Sequence, residues 1–422
     1  MTRAAVITGV GLVTPLGRKV DEVFDAVCVG RSGLVTPPAG HRLAGVLDVA
    51  GIAPDVDPAE VLDPKQARAV DRFVLLAMAA ADDALADARI TVGADVDPER
   101  VAVVVSTGGA GLETFEEYAA LRRDHGRAKV SPYLLPGMLA NMASARIAIR
   151  HGIRGHSGCH ATACAAGAQS VAEALRLIRE GVADVVVCGG CDTPLHPTIA
   201  AAFGNAWALA RKWDDPTQAS RPFDKRRNGF VLGEGAGVLV VERADFADAR
   251  GASGYAGLLG WGVTTDAHHP TTPRPDGTGM AAVMRRAVSD AGLELSDVDY
   301  VNAHGTSTPL GDAAEAAAIR AVFGERGPAV SSIKALTGHL LGGSGAVEAV
   351  VTALSVAAGV LPPTHNLDDP DPDCALDHVR GAVRVGPVRA ALTNSFAFGG
   401  HNVSLLLGAP GTRLTRTTTP AS

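Results

Sequence analysis

Residues 160–188, HATACAAGAQSVAEALRLIREGVADVVVC, contain a helix-forming segment followed directly by a short apolar run. The Ala- and Leu-rich part, 168–180, predicts a helix because it is periodic and is followed by Gly181, which suits a left-handed C-cap. The apolar run 182–188 predicts a strand that is buried on both faces. A helix next to a buried strand is the repeating unit of layered α/β folds.

The same alternation extends along the whole chain. Further buried parallel strands are predicted at 4–7, 101–105, 238–241, 300–302 and 391–393. Further helices are predicted at 67–88, 277–291, 313–323 and 344–358. A composition break at 249–254 divides the chain into an N-terminal half, 1–250, and a C-terminal half, 251–411. The polar segment 412–422 is predicted to be a frayed tail.

The composition excludes several classes of protein. With 422 residues, 47% hydrophobic and 20% charged, the chain is neither disordered nor fibrous. Aromatic residues make up only 4%, so the core must consist mainly of small aliphatic side chains. The net charge of −7 gives no indication of nucleic-acid binding. No run approaches the roughly 18 to 20 apolar residues of a membrane helix, so we expect a cytoplasmic protein.

The cysteines do not form a recognisable disulfide or metal pattern. Six cysteines in a chain of this length are no disulfide framework. Cys188 and Cys191 form a single C-x-x-C, which we interpret as buried thiols in the turn after a strand that ends at Cys188. His268 and His269 have no ligand-spaced companion, so no metal site is predicted.

Cys164 differs from the other cysteines because it lies where an extended run meets the start of a helix. The N–H groups and the dipole of a helix N-terminus favour a thiolate, which would make Cys164 an activated nucleophile. The small residues Ala163, Ala165 and Gly167 would let a substrate approach closely. On its own, however, a Cys in an Ala-rich segment is more often part of the core.

Three more Gly-rich turns place a His, Lys or Phe side chain at the ends of strands. They are VNAHGTSTPLGDAAE (301–315), SSIKALTGHLLGGSG (331–345) and NSFAFGGHN (394–402). The first contains His304, the second Lys334 and His339, and the third Phe398. Because strand ends are where the sites of α/β folds collect, these turns are expected to contribute to one site.

These four segments, in this order, resemble the elongating β-ketoacyl-acyl carrier protein synthases of fatty acid and polyketide assembly. RPFDKRRNGFVLGEG (221–235) and SPY (131–133) also match the family, and the likeness extends to about Leu407. It implies a thiolase-like α/β fold, a five-layered αβαβα sandwich built from two similar halves. It further implies an acyltransferase without a cofactor of its own, whose substrates arrive on the phosphopantetheine of an acyl carrier protein. The enzyme would be a homodimer, or a heterodimer with a chain-length-factor-like subunit.

The resemblance also assigns roles to individual residues. Cys164 would hold the growing chain as a thioester. His304 and His339 would bind the thioester carbonyl of the malonyl group through Nε2–H and stabilise the enolate formed on decarboxylation. The backbone N–H groups of Cys164 and Phe398 would bind the oxyanion of the condensation step. Lys334 would pair with Glu315 and help to set the protonation of the histidines, although a purely structural ion pair is an equal alternative.

Other residues are implied in supporting roles. Asp312 would support the site, and Phe398 would separate the acyl pocket from the nucleophile. The residues implied to bind pantetheine are Thr306, Thr308 and Phe230. Those implied to dock the carrier protein are Lys65, Arg68, Arg127 and Lys129, of which the first two lie at the start of the predicted helix 67–88.

Three positions depart from the family pattern. His156 stands where proline is usual, Ala397 replaces a glycine, and His401 stands where threonine is frequent. These changes concern the shape of the pocket.

A thiolase-type acyltransferase is disfavoured because the C-terminal glycine-rich loop has no cysteine, and Cys164 argues against a non-catalytic chain-length subunit. The sequence does not distinguish fatty acid elongation from a type II polyketide pathway.

Overall fold

The computed structural model describes residues 3–63 and 70–409. The helices are α1 (Val20–Val29), α2 (Pro58–Val61), α3 (Arg72–Ala88), α4 (Leu112–His125), α5 (Leu134–Met138), α6 (Met142–His151), α7 (Ala166–Glu180), α8 (Pro197–Asn205), α9 (Ala244–Ala249), α10 (Thr278–Asp290), α11 (Pro309–Phe323), α12 (Lys334–Thr337) and α13 (Ser344–Ala358). The strands are β1 (Ala5–Val13), β2 (Leu34–Val35), β3 (Ala50–Gly51), β4 (Val101–Ser106), β5 (Ser157–Gly158), β6 (Val185–Asp192), β7 (Gly235–Arg243), β8 (Ala256–Thr265), β9 (Tyr300–Asn302), β10 (Ala329–Ser331), β11 (Val360–Leu361), β12 (Arg384–Val385), β13 (Ala390–Ala397) and β14 (His401–Gly408).

One topology occurs twice in the chain. The large sheet has ten strands in the order β10-β9-β13-β14-β8-β1-β7-β6-β4-β5. It consists of two sets of five strands: β1, β4, β5, β6 and β7 form one set, and β8, β9, β10, β13 and β14 form the other. When the strands of each set are numbered along the chain, both sets have the same spatial order: first, fifth, fourth, second, third. The two sets meet where residues 5–7 pair antiparallel with residues 256–258.

The helices form three layers around these two sets of strands. In the middle layer, α7 and α13 pack on each other and on strands of both sets. Their apolar side chains, such as Val171 and Val350, belong to one central hydrophobic cluster. On the outer faces, α3 packs over the first set and α10 over the second, each within a separate cluster. The result is the predicted five-layered αβαβα arrangement.

The N-terminal turns of the two middle helices meet closely. Short 3₁₀ turns, 163–165 and 341–343, precede α7 and α13, and both open on a left-handed residue, Ala163 (φ 48°) and Leu341 (φ 45°). A Cβ atom on Gly167 would lie 2.6 Å from the carbonyl oxygen of Gly342, so only glycine allows this approach. Through this contact the Cys164 turn reaches the corresponding turn of the other half.

The strands differ from the prediction in direction and length. Parallel pairing holds for β4 with β6 and for β9 with β13, but β1 and β6 pair antiparallel with β7. The prediction of parallel strands throughout was therefore wrong. The strand predicted to end at Cys188 runs on to Asp192, so Cys188 and Cys191 are buried inside β6 and not in a turn.

Two helix predictions also need correction. The described part of the predicted helix 67–88 begins only at Arg72, because the Asp71 side chain accepts the N–H of Phe73 and caps α3 there. Within the described ranges, the stretch Leu341–Ala358 is long and apolar enough to cross a membrane, contrary to expectation, but it lies almost wholly buried in the middle layer. The predicted tail, 412–422, lies outside the described residues.

Candidate active site

The nucleophile candidate lies at the start of the central helix pair. Cys164 occupies the 3₁₀ turn Ala163–Ala165 ahead of α7 and retains partial solvent exposure. The N–H groups of Cys164 and Phe398 both interact with its thiol. Cys164 belongs to the first half of the chain and Phe398 to the second, so the two halves build this corner of the site together.

The thiol is not a resting thiolate, contrary to the expectation from its place at a helix start. Burial and, to a smaller extent, the nearby Asp192 carboxylate raise the pKa of Cys164 to about 12. The Lys334 ammonium and the two N–H groups act in the opposite direction but do not outweigh burial. In the free protein Cys164 is therefore a neutral thiol at neutral pH.

Lys334 lies beside His304, but its carboxylate partner differs from the predicted one. The Nζ atom of Lys334 donates to the carbonyl oxygen of His304 at 2.6 Å and lies 3.4 Å from His304 Nδ1. Its ion pair is with Glu348 of α13, and both side chains are buried. The predicted pair with Glu315 is wrong.

Glu315 and Asp312 instead hold the turn after β9. The Glu315 carboxylate accepts the N–H groups of His304 at 2.8 Å and of Gly305 at 2.7 Å. Asp312 accepts the N–H groups of Phe223 at 2.8 Å and of Ser307 at 3.1 Å. Burial raises the pKa of Glu315 to about 7 and that of Asp312 to about 6. Because α11 supplies both carboxylates, it fixes where His304 leaves the strand.

The two histidine rings face each other as neutral imidazoles. Their centroids are 5.3 Å apart with nearly perpendicular planes, and Phe230 packs edge-on against His339 at 5.5 Å. Burial lowers the pKa of both rings well below the usual value, and the Lys334 charge lowers it further. Neutral rings fit the predicted role, since each can donate one hydrogen bond without carrying charge.

A cavity of about 460 Å³ brings these groups together. The predicted site residues that line it are Cys164, Phe230, His304, Thr306, Thr308, Asp312, Glu315, His339 and Phe398. The hydroxyls of Thr306 and Thr308 are 3.0 Å apart, at the position predicted for pantetheine binding. Lys334 is buried behind His304. Within the described ranges, no group of three or more His, Cys, Asp or Glu is placed to hold a metal ion.

Phe398 forms part of the cavity wall. It is 39% exposed, and its ring lies 6.1 Å from that of Phe203. The left-handed positions of this loop fall on Gly399 (φ 84°) and Gly400 (φ 72°), whereas Ala397 is extended. The replacement of glycine at 397 therefore introduces no backbone strain.

The remaining predicted positions either do not line the cavity or lie outside the described residues. Arg127 and Lys129 are exposed in a 3₁₀ turn that follows α4, whereas Lys65 and Arg68 lie outside the described residues. His156 is exposed next to β5, where its carbonyl oxygen accepts the N–H of Val103. His401 begins β14.

Two carboxylates near the site were not predicted from the sequence. Glu348 is a lone acidic residue in the apolar segment 344–358, and that isolation was a usable signal. Asp192 accepts N–H groups from Gly108 at 2.9 Å, Gly109 at 3.2 Å and Gly342 at 2.9 Å. No local signal marks Asp192, because its partners come from two distant segments of the chain.

Known proteins match the chain over nearly its whole length. Residues 2–247 match the family described as "Beta-ketoacyl synthase, N-terminal domain", and residues 255–368 match its C-terminal domain. A "3-oxoacyl-[acyl-carrier-protein] synthase 2" from Synechocystis sp. is 42% identical over 405 residues, covering 96% of this chain and 97% of the relative.

Two solved structures share the fold. One is a type II PKS acyl-carrier protein in complex with its ketosynthase bound to the hexaketide; the matched chain has a TM-score of 0.89 and 31% identity, with 97% of this chain and 100% of that chain covered. The other is the ishigamide ketosynthase/chain length factor, with a TM-score of 0.89, 35% identity and the same coverage.

Proposed function

The chain belongs to the β-ketoacyl synthase family and is an acyltransferase, and from this premise we propose a mechanism for its decarboxylative condensation. The observation that carries the proposal is that the Cys164 thiol, two neutral histidines and the N–H group of Phe398 converge on one cavity. Acyl groups arrive on the phosphopantetheine of an acyl carrier protein, and the enzyme needs no cofactor of its own.

The first half-reaction transfers the acyl group to the enzyme. The Cys164 sulfur attacks the thioester carbonyl of the acyl carrier, the bond to the carrier sulfur breaks, and the carrier thiol leaves with the proton. Because Cys164 starts as a neutral thiol, its proton has to be removed for the sulfur to attack. The N–H groups of Cys164 and Phe398 hold the oxyanion that forms on the carbonyl oxygen.

The second half-reaction joins the two carbon units. His304 and His339 donate Nε2–H hydrogen bonds to the thioester oxygen of the malonyl group, which stabilises the enolate that remains when carbon dioxide leaves. The enolate carbon attacks acyl-Cys164, and the tetrahedral intermediate collapses to the β-ketoacyl carrier. Cys164 leaves as a thiolate and takes up a proton. Lys334 faces Nδ1 of His304, which keeps the ring proton on Nε2.

The mouth of the cavity has features that suit an acidic carrier protein. Trp207, which is 72% exposed, and Leu310 form an apolar rim. The Arg211 guanidinium lies 4.0 Å over the Trp207 ring. Lys65 and Arg68 stay predicted docking residues.

A second ketosynthase-fold subunit is proposed to cover α4. None of the 14 residues of α4 is buried, although they include Leu112, Phe115 and Leu121. Large exposed apolar side chains gathered on one helix mark a protein–protein contact. The partner is a second copy of this chain, or a chain-length-factor-like subunit as in the ishigamide structure.

The mechanism is tested by measuring the two half-reactions separately. Cys164→Ala should abolish acyl loading as seen by mass spectrometry, whereas Cys188→Ala, a buried thiol of β6, should load normally. His304→Ala and His339→Ala should each slow carbon dioxide release by about 10²–10³ while leaving some loading of Cys164. Retained loading in Cys164→Ala, or unimpaired decarboxylation in both histidine variants, would refute the assignment.

The products identify the pathway. The purified protein should be incubated with malonyl-carrier protein and acyl-carrier proteins of graded length, and the products weighed. A single elongation of fatty acyl chains places the enzyme in fatty acid synthesis, whereas repeated elongation without reduction of the keto groups places it in a polyketide pathway.

A further inference from the structure

His339 has a hydrogen-bond partner of its own, the side chain of Ser344. Ser344 is the first residue of α13 and is buried. Its Oγ atom lies 2.9 Å from His339 Nδ1 and also accepts the N–H of Leu340 at 2.9 Å. The contact is thus within the buried wall behind His339, on the side of the ring opposite Nε2.

The direction of the Ser344–His339 hydrogen bond follows from counting donors and acceptors. The N–H of Leu340 can only donate, so it uses a lone pair of the Ser344 oxygen and leaves the hydroxyl hydrogen free. Among the described residues, Nδ1 of His339 is the acceptor within reach of that hydrogen. If Nδ1 carried the proton instead, Ser344 would have a buried O–H group without an acceptor, which is costly.

We propose that Ser344 is a positioning residue that donates its hydroxyl hydrogen to Nδ1 of His339 and thereby keeps the ring proton on Nε2, facing the malonyl thioester. The inference rests on the proposed function, in which Nε2–H of His339 binds the enolate oxygen. The lowered pKa of His339 is consistent with it, because a neutral ring has one proton to place.

The two histidines are then fixed by different groups with the same effect. Lys334 has three hydrogens and three acceptors around it: the carbonyl oxygen of His304, Nδ1 of His304 and the Glu348 carboxylate. At His339 a neutral hydroxyl takes the place of the ammonium. A hydroxyl orients the ring without a second buried cation, which would require a second buried carboxylate.

The tautomer is directly observable in the full-length enzyme. Nitrogen-15 NMR of histidine-labelled protein, with His339→Gln to assign the signal, should show the proton of His339 on Nε2. In Ser344→Ala the Nδ1–H form should become populated, since the hydroxyl that favours Nε2–H is then absent. A wild-type ring protonated on Nδ1, or a tautomer unchanged in Ser344→Ala, would overturn the inference.

Kinetics should show the same change in one half-reaction only. We expect Ser344→Ala to lower kcat for malonyl decarboxylation about tenfold or more, with KM and acyl loading nearly unchanged. Ser344→Thr, which keeps the hydroxyl, should restore the rate and the tautomer. Ser355→Ala is the matched control, because Ser355 is buried in the same helix but donates to the carbonyl oxygen of Val351.

The same measurements separate this inference from the proposed function. If decarboxylation is unimpaired in His339→Ala while Ser344→Ala still changes the tautomer, the role of His339 in the reaction falls and the hydrogen-bond assignment stands. If decarboxylation depends on His339 but not on Ser344, the proposed function stands and the role of Ser344 falls.

Discussion

At the scale of single residues, the Cys164 thiol experiences two opposing influences. The helix N-terminus, Lys334 and the N–H of Phe398 favour the thiolate, while burial and the Asp192 carboxylate favour the thiol. Burial is the largest of these effects, and the resulting pKa is about 12. An enzyme that holds its nucleophile as a thiol protects it from alkylation and oxidation between turnovers, because thiolates are the reactive form.

The pH dependence of alkylation tests this balance. Because the pKa of Cys164 is raised, the thiolate fraction should grow about tenfold per pH unit between roughly pH 7 and 9. The rate of Cys164 labelling by iodoacetamide, followed by mass spectrometry, should rise accordingly without a plateau. Labelling of this peptide should disappear in Cys164→Ala. A plateau reached below pH 9 would mean that the helix N-terminus outweighs burial.

At the scale of secondary-structure elements, the buried Lys334–Glu348 pair ties α12 to α13. Burial raises the pKa of Glu348 to about 7, while the Lys334 charge acts to lower it. The ion pair therefore depends on both partners staying in place, since either charge alone would be left buried without compensation.

Removing one member of this pair should destabilise the fold strongly. Glu348→Gln leaves the Lys334 ammonium unpaired, so we expect the free energy of unfolding to fall by about 3–5 kcal/mol in urea titrations. Glu22→Gln, which breaks an exposed pair with Lys19, should cost less than about 1 kcal/mol. The double variant Lys334→Met/Glu348→Met should recover most of the stability but not the decarboxylation. An equal loss in the single and double variants would show that the helices do not depend on the pairing of charges.

The elements also show which features the sequence could predict. The helix Ser344–Ala358 and the strand Tyr300–Asn302 were predicted with the bounds that they have, because periodicity and apolar runs are local signals. Strand direction was not, since β7 reverses against β1 and β6 through contacts between distant segments. For the same reason Glu315 was given the wrong partner: sequence spacing does not show that Glu348 projects from the middle layer towards Lys334.

At the scale of the whole molecule, the site depends on both halves, and we propose that a further subunit covers the exposed helix α4. We expect light scattering to give a mass of about twice 43.0 kDa. Phe115→Asp should raise the dissociation constant of the dimer by at least about thirtyfold. Val385→Asp, at an even more exposed apolar position on β12, is the control. A wild-type protein that is monomeric alone would exclude a second copy as the partner of α4.

The net charge of the chain opposes the approach of an acidic carrier protein. Acyl carrier proteins are acidic, and this chain carries a net charge of −7, so long-range repulsion opposes their encounter. A local group of cations at the cavity mouth would overcome it. Arg211 is suited to this role, because its guanidinium rests on the Trp207 ring at the mouth and is held there before the carrier arrives.

Reversing this charge should affect carrier-bound substrates only. We expect Arg211→Glu to raise KM for malonyl-carrier protein several-fold, mainly through slower association, and to weaken its dependence on salt. Turnover of a small pantetheine thioester should stay nearly unchanged, because that substrate needs the cavity but not the docking surface. Lys19→Glu makes the same change of charge at an exposed position outside the cavity lining and should leave both substrates unaffected. If Arg211→Glu impairs both substrates equally, Arg211 supports the cavity wall and the carrier docks elsewhere, with Lys65 and Arg68 the next residues to reverse.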